Sequence, residues 1–232
     1  MLKVENLIAG YYKSTPVLEG VNMDLPNGQV HGIVGANGSG KTTLLQCIHG
    51  TIKKVQGEIL YNGMPIKRED VSFLETDNYF YKRITGKEYL QLFGAFNKDF
   101  DVLGWNALFS LPLDKMVDDY STGMKKKIAF LSVLSFNTPI VILDEPFNGI
   151  DMETVQLIKV IIKKLRASGL TVVVTSHILE SLLNICDTIS YVKGKKIEAT
   201  FYPPDFASIE SRVFDIDSNG GGVIVDKLLK LK

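Results

Sequence analysis

The stretch Gly35-Ala36-Asn37-Gly38-Ser39-Gly40-Lys41-Thr42-Thr43 constrains the fold more than any other part of the chain. A glycine, four residues and then Gly-Lys-Thr is the spacing of a loop that wraps phosphate groups. Its glycines permit tight turns that aim backbone N–H groups inward, and the helix that follows adds the positive end of its dipole. Such a loop forms between a strand and a helix. Apolar "IVG" upstream and "LLQCI" downstream supply both. Lys41 would then reach the β- and γ-phosphates of a ligand, and the Thr42 hydroxyl would bind Mg²⁺.

The rest of the chain reads as α/β around that loop. Strand-like segments cover residues 2–9, 17–25 and 29–34, and a helix runs from the loop to near Gly50. Further strands are expected at 57–61 and 71–74. From residue 85 to about 136 the pattern turns helical and aromatic, with Trp105 and Pro112 inside it. "IVILDEP" (140–146) and "TVVVTSH" (171–177) read as buried strands. Apolar positions 155, 158, 161, 162 and 165 between them follow helical spacing, and a helix at 178–185 comes after. This alternation implies a parallel sheet flanked by helices, interrupted by a helical insertion at about 77–136. Residues 201–232 match no pattern beyond a short C-terminal extension, with "SNGGG" (218–222) as a flexible joint.

Bulk properties narrow the function classes. The 26 basic residues balance the 26 acidic ones, so no net charge argues for nucleic acid or an acidic membrane surface. Cys47 and Cys186 are far apart, without metal-ligand spacing, and read as small core residues in a reducing compartment. The N-terminus carries no signal-peptide apolar region, and "IAFLSVLSF" is too short to cross a bilayer. A soluble chain is expected, with any membrane role coming through a partner.

Asp144 and Glu145 end a strand, where a parallel sheet presents its ligand crevice. Beside a phosphate loop, Asp144 can hold Mg²⁺ through water and Glu145 can polarise an attacking water. His177 ends another strand at the same crevice, where an imidazole can hydrogen-bond a γ-phosphate. "YSTGMKKKIAF" (120–130) presents a conflict. Ser121, Thr122 and Gly123 look like a helix start, yet Lys125, Lys126 and Lys127 crowd a first turn that favours acids. An anion on that helix end would resolve it. The plain alternative is that the lysines extend to solvent and Ser121 only caps the helix.

Together these segments resemble the ATP-binding subunit of ABC transporters over roughly residues 1–200. The order is specific: phosphate loop, "YSTGM" about eighty residues later, "ILDEP" after one helix, then "TSH". The resemblance implies a P-loop NTPase core with a parallel sheet, a small antiparallel β region and the inserted helical subdomain. It makes residues 35–43 the Walker A loop, Asp144 and Glu145 the Walker B aspartate and catalytic glutamate, and His177 the switch histidine. Residues 148–151 resemble the D-loop, with Asp151 its acid. Tyr12 stands at the distance of the aromatic that stacks on adenine, with Tyr11 as the adjacent fallback. "YSTGM" resembles the signature motif Leu-Ser-Gly-Gly-Gln, with Ser121 and Gly123 in place and Thr122 for the first glycine. In the family this helix end meets ATP held by a second subunit, which supplies the missing anion and implies a head-to-tail homo- or heterodimer.

One departure stands out. The family's Q-loop glutamine aligns with Thr76, whose shorter side chain puts magnesium positioning and coupling to a membrane partner in question. The implied cofactors are ATP and Mg²⁺, and the implied partners are a second ATP-binding subunit and separately encoded integral membrane permease subunits, with no nucleic acid. The expected place is the cytoplasmic face of the membrane, held there through the permease. Two other readings fit the same residues: a soluble ATPase of this type serving assembly, such as that of iron–sulfur clusters, and a non-hydrolysing nucleotide-gated module.

Overall fold

The computed structural model describes residues 1–12, 14–94, 97–213 and 228, so the "SNGGG" joint lies outside the described residues. In chain order come β1 (Leu2–Ala9), β2 (Leu18–Leu25), β3 (Val30–Val34), α1 (Lys41–His49), β4 (Gln56–Tyr61), β5 (Met64–Pro65) and β6 (Val71–Leu74). Helices α2 (Gly86–Gly94), α3 (Val102–Phe109) and α4 (Thr122–Leu134) follow. The chain then runs through β7 (Ile140–Leu143), α5 (Met152–Ala167), β8 (Thr171–Thr175), α6 (Glu180–Leu183), β9 (Thr188–Lys193), β10 (Lys196–Phe201) and α7 (Ile209–Val213).

Strands β3, β7 and β8 are buried along their whole lengths, as strands covered on both faces must be. They lie inside a six-stranded sheet of order β10-β9-β3-β8-β7-β6, parallel except for the β10 edge. The second sheet is antiparallel, in the order β2-β1-β4-β5.

Period-two alternation splits the core between the two faces of the larger sheet. Ile33, Ile140, Ile142 and Val173 pack toward α1 and the antiparallel sheet, against Leu44, Ile48 and Leu7. Val141, Leu143, Val172 and Val174 face the other way, with Phe130 of α4 and Ile158 and Ile162 of α5. Truncating such a residue, for example Leu143→Ala, would cost about 2–5 kcal/mol.

Helices α2, α3 and α4 lie between β6 and β7 in the chain, where helical spacing was expected. The start of α2 is fixed by a reciprocal cap. The Thr85 backbone N–H donates to Glu88 Oε2 at 2.7 Å, and the Glu88 N–H donates to Thr85 Oγ1 at 3.2 Å. Two features depart from the sequence reading. Helix α6 is shorter than expected, and β9 and β10 form an unanticipated hairpin. Its turn places Gly194 and Lys195 at φ of 54° and 69°, the left-handed pair that suits the twist of a two-residue hairpin. Phe201 and Ile209 are buried in the larger core, so the extension begins by packing on it.

Candidate active site

The glycine loop bridges β3 and α1, as its spacing requires. Gly40 sits at φ of 107°, and a Cβ there would come 2.7 Å from Leu18 Cδ2, so both backbone and space demand glycine. Lys41 is buried, and its ammonium donates to the carbonyls of Gly35 at 2.8 Å and Ala36 at 3.3 Å, folded across the loop's mouth. The α1 terminus has no acidic residue in its first turn and no side-chain cap. Ser39 Oγ is buried with no hydrogen-bond partner among the described residues. A glycine loop leading into a helix terminus free of acids and side-chain caps is what an anionic ligand needs.

Asp144 is fully buried at the end of β7, and three threonine hydroxyls converge on it. Thr42 Oγ1 and Thr76 Oγ1 donate to Oδ2 at 2.7 and 2.8 Å, and Thr175 Oγ1 donates to Oδ1 at 2.5 Å. This set of hard oxygen donors fits Mg²⁺, which keeps water and phosphate ligands beside one or two protein ones. Glu145 follows with φ of 50°, a conformation costly for a residue with a Cβ. Its N–H donates to Thr175 Oγ1 at 2.9 Å, so one hydroxyl steadies both acids. Glu145 Oε2 accepts from His177 Nδ1 at 3.0 Å and from Asn148 Nδ2 at 3.2 Å. With Nδ1 donating to the carboxylate, the neutral ring leaves Nε2 as an acceptor and the protonated ring leaves it as a donor.

These side chains surround one cleft of about 500 Å³, lined by Lys41, Thr42, Thr43, Thr76, Glu145 and His177 among others. Its aromatic wall is Tyr11, whose hydroxyl donates to Gln46 Oε1 at 3.3 Å. Tyr12, the first choice on spacing, is off the lining and 74 % exposed. The fallback tyrosine is the one at the cleft, because the chain bends back after it through a Tyr12–Thr15 bridge.

At the other end of the chain's candidate machinery, Ser121 caps α4 by accepting from the Met124 N–H at 3.2 Å. Ser121 and Thr122 are exposed and Gly123 is half-buried. The three lysines do not simply extend to solvent. Lys125 Nζ donates to the Asp118 carbonyl at 3.2 Å, Lys127 pairs with Asp151 at 3.0 Å, and Lys126 is buried. Asp151 also caps α5, accepting from the Thr154 N–H at 2.8 Å. That N–H and the Lys127 ammonium hold its carboxyl well below the usual range.

Residues 18–148 match the family described as ABC transporter, more than half of the chain. The chain belongs to the ABC transporter family. It is 31 % identical over 211 residues to the lantibiotic transport ATP-binding protein SrtF of Streptococcus pyogenes, covering 85 % of this chain and 89 % of that one. Against the energy-coupling factor transporter ATP-binding protein EcfA3 of Clostridium perfringens it is 30 % identical over 222 residues, 85 % and 76 % of the two chains. A solved ATP-binding subunit of an ABC transporter superposes with a TM-score of 0.82 at 23 % identity, covering 92 % of this chain and 95 % of that chain, which bears on the fold. As an ABC transporter ATP-binding subunit, the chain binds ATP and hydrolyses it in support of transport.

For an ABC ATP-binding subunit, two residues were undervalued by sequence reasoning. Thr175 looked like strand interior, yet its hydroxyl joins Asp144 to Glu145. Its place immediately before "SH" at a strand end was the available signal. Thr76 was in question because its side chain is short, and β6 ends close enough to Asp144 for its hydroxyl to reach.

Proposed function

We propose that two ABC subunits of this kind close head to tail around two nucleotides, each bound by one chain's glycine loop and the other chain's Ser121, Thr122 and Gly123. The observation that carries this reading is the contrast between a cleft lined by the glycine loop, Glu145 and His177 and an exposed helix end whose flanking lysines, Lys125 and Lys127, are engaged elsewhere. Within one chain, residues 35–43 bind the phosphates, Tyr11 stacks on the base, and Thr42 and Asp144 hold Mg²⁺. Magnesium, when bound, neutralises charge on the phosphate oxygens. Glu145 orients the attacking water and His177 steadies both the carboxylate and the γ-phosphate.

The partner is a separately encoded membrane permease. Among the described residues no helix is long and apolar enough to cross a membrane. A large cleft lined by Phe73, Tyr79, Tyr81, Ile84 and Phe93 suits a permease loop, and Tyr79 and Tyr81 are exposed there. The ATP-binding domain spans about 1–200, with 77–136 as its helical part and 201–232 as an extension.

Glu145→Gln tests the arrangement. Removal of a positioned base lowers the rate roughly 10²–10⁴-fold, while phosphate binding is spared. Light scattering after gel filtration should then show a dimer with Mg-ATP. Adding Ser121→Arg places bulk and charge where the γ-phosphate docks, and the double variant should stay monomeric though folded by circular dichroism. Equal dimerisation of both variants would sink the head-to-tail reading.

A further inference from the structure

Glu145 is held unevenly, and one of its holders has no part in the function described so far. The Glu145 side chain is 10 % exposed, and among the described residues the bonds to its carboxylate all fall on one oxygen. Oε2 accepts from His177 Nδ1 at 3.0 Å, from the His177 backbone N–H at 3.3 Å and from Asn148 Nδ2 at 3.2 Å. Three donors leave that oxygen no room for another. Oε1 has no partner among the described residues, yet it is not sealed in the core. The carboxylate therefore has one oxygen taken and one open, beside the cleft that Glu145 lines.

Such asymmetry needs a cause. The last torsion of a glutamate is broad and two-fold, so an untethered carboxylate exchanges its two oxygens freely. Donors from two directions remove that freedom. His177 approaches from the segment after β8, and Asn148 from the turn that Glu145 itself begins. In that turn the Asn148 N–H also donates to the Glu145 carbonyl, at 3.3 Å, so backbone and side chain of one residue return to the same acid. Asn148 is half-buried and lines the same cleft. An amide suits the place, because an ionised carboxylate only accepts and its neighbour must donate.

We infer that Asn148 is a positioning residue for ATP hydrolysis: with His177 it reserves Oε2 and so presents Oε1 to the attacking water. The water's proton passes to Oε1 while its oxygen bonds the γ-phosphorus. The bond from that phosphorus to the β–γ bridging oxygen breaks, and ADP leaves. The inference rests on the reading of Glu145 as the base, and its test separates the two.

The measurement is phosphate release from Mg-ATP, resolved into kcat and KM. Asn148→Ala removes one donor to a charged group and should lower kcat about tenfold, with KM held within about twofold. Asn148→Asp keeps the shape but sets one carboxylate against another, and should fall further, to about 10²-fold below the wild type. A residue that merely shapes the turn gives the reverse order, and more activity in Asn148→Asp than in Asn148→Ala overturns the proposal. In the Glu145→Gln background, Asn148→Ala should change the residual single-turnover rate by less than about twofold, since no base is left to position. A tenfold drop there would mean that Asn148 acts independently of Glu145. Light scattering should show the same association with Mg-ATP for Glu145→Gln with and without Asn148→Ala; a difference would assign Asn148 to the second chain and also overturn the proposal. Asn148→Leu, close in size and without a donor, is the second variant. Failure of both it and Asn148→Ala to fold by circular dichroism would assign the residue to stability, against the proposal. Glu145→Gln alone is the control. Unchanged turnover in it removes the base reading and the proposal together; if its turnover collapses while the Asn148 variants match the wild type, only the proposal fails.

Discussion

The glycine-loop side of the molecule and the Ser121 end of α4 are built on opposite plans. Around Asp144, the candidate side chains are already tied to one another, through Thr42, Thr76, Thr175 and the Glu145–His177 pair, and Asp144, Glu145 and Thr175 are buried. Among the described residues the Ser121 hydroxyl makes just a cap within its own helix, and Ser121 and Thr122 stand in solvent. A site that must act on arrival of its ligand benefits from preorganised groups, because none has to be ordered at the moment of reaction. A surface that must wait for a second chain gains nothing from being tied down beforehand. The difference teaches that, on the proposed head-to-tail arrangement, one chain holds a finished half of the chemistry and a blank half.

The sharpest way to break that contrast is Lys41→Ala. It removes the one cation folded across the loop, and Mg-ATP binding and phosphate release should both collapse, by about 10²-fold or more in a fluorescence titration and a turnover assay. Near-wild-type turnover would mean that the preorganised half lies elsewhere. Thr76→Val probes a finer thread of the same network. Loss of its hydroxyl removes one of three donors to Asp144 and should weaken Mg²⁺-dependent nucleotide binding by about 1 kcal/mol, while Thr76→Gln, able to reach the same carboxylate, should restore it. Equal affinities for all three proteins would show that water replaces the hydroxyl at no cost.

The smallest effect is on pH. His49 closes α1 on the tied side, and desolvation, with Arg68 nearby, lowers its pKa to about 4. Its unfolded value is near 6.5, so between these two values the unfolded chain binds more protons and stability falls as pH falls. The thermal midpoint should drop by about 2–4 °C from pH 7 to pH 4.5, and His49→Gln should narrow that drop. An unchanged drop would place the acid sensitivity at another group, such as buried His31, whose pKa is also lowered by desolvation.

What could be read from the sequence follows the same divide. The loop glycines, β1, β6 and the strand ending in Asp144 were legible because glycine spacing and short apolar runs leave a local trace. The β9–β10 hairpin was missed although "YVKGKKIE" carries a glycine turn between alternating segments. The position of Lys126 was beyond a local reading. A lysine on a helix normally faces water, and only the packing of α4 on β6 sets its direction. The choice between Tyr11 and Tyr12 likewise turns on a bend of the chain rather than on residue type.

The pair between Lys127 and Asp151 has a consequence for movement. Its carboxylate is half exposed, so as a source of stability it contributes little. As a mechanical element it counts for more. Asp151 is also pinned to α5 through Thr154, and a Cβ on Gly123 would lie 3.3 Å from the Gly149 carbonyl, so the loop before α5 and the head of α4 touch at two points. Two segments in contact at these places are less free to move apart than either would be alone, so a displacement of the 148–151 loop is felt at the head of α4 beside Ser121.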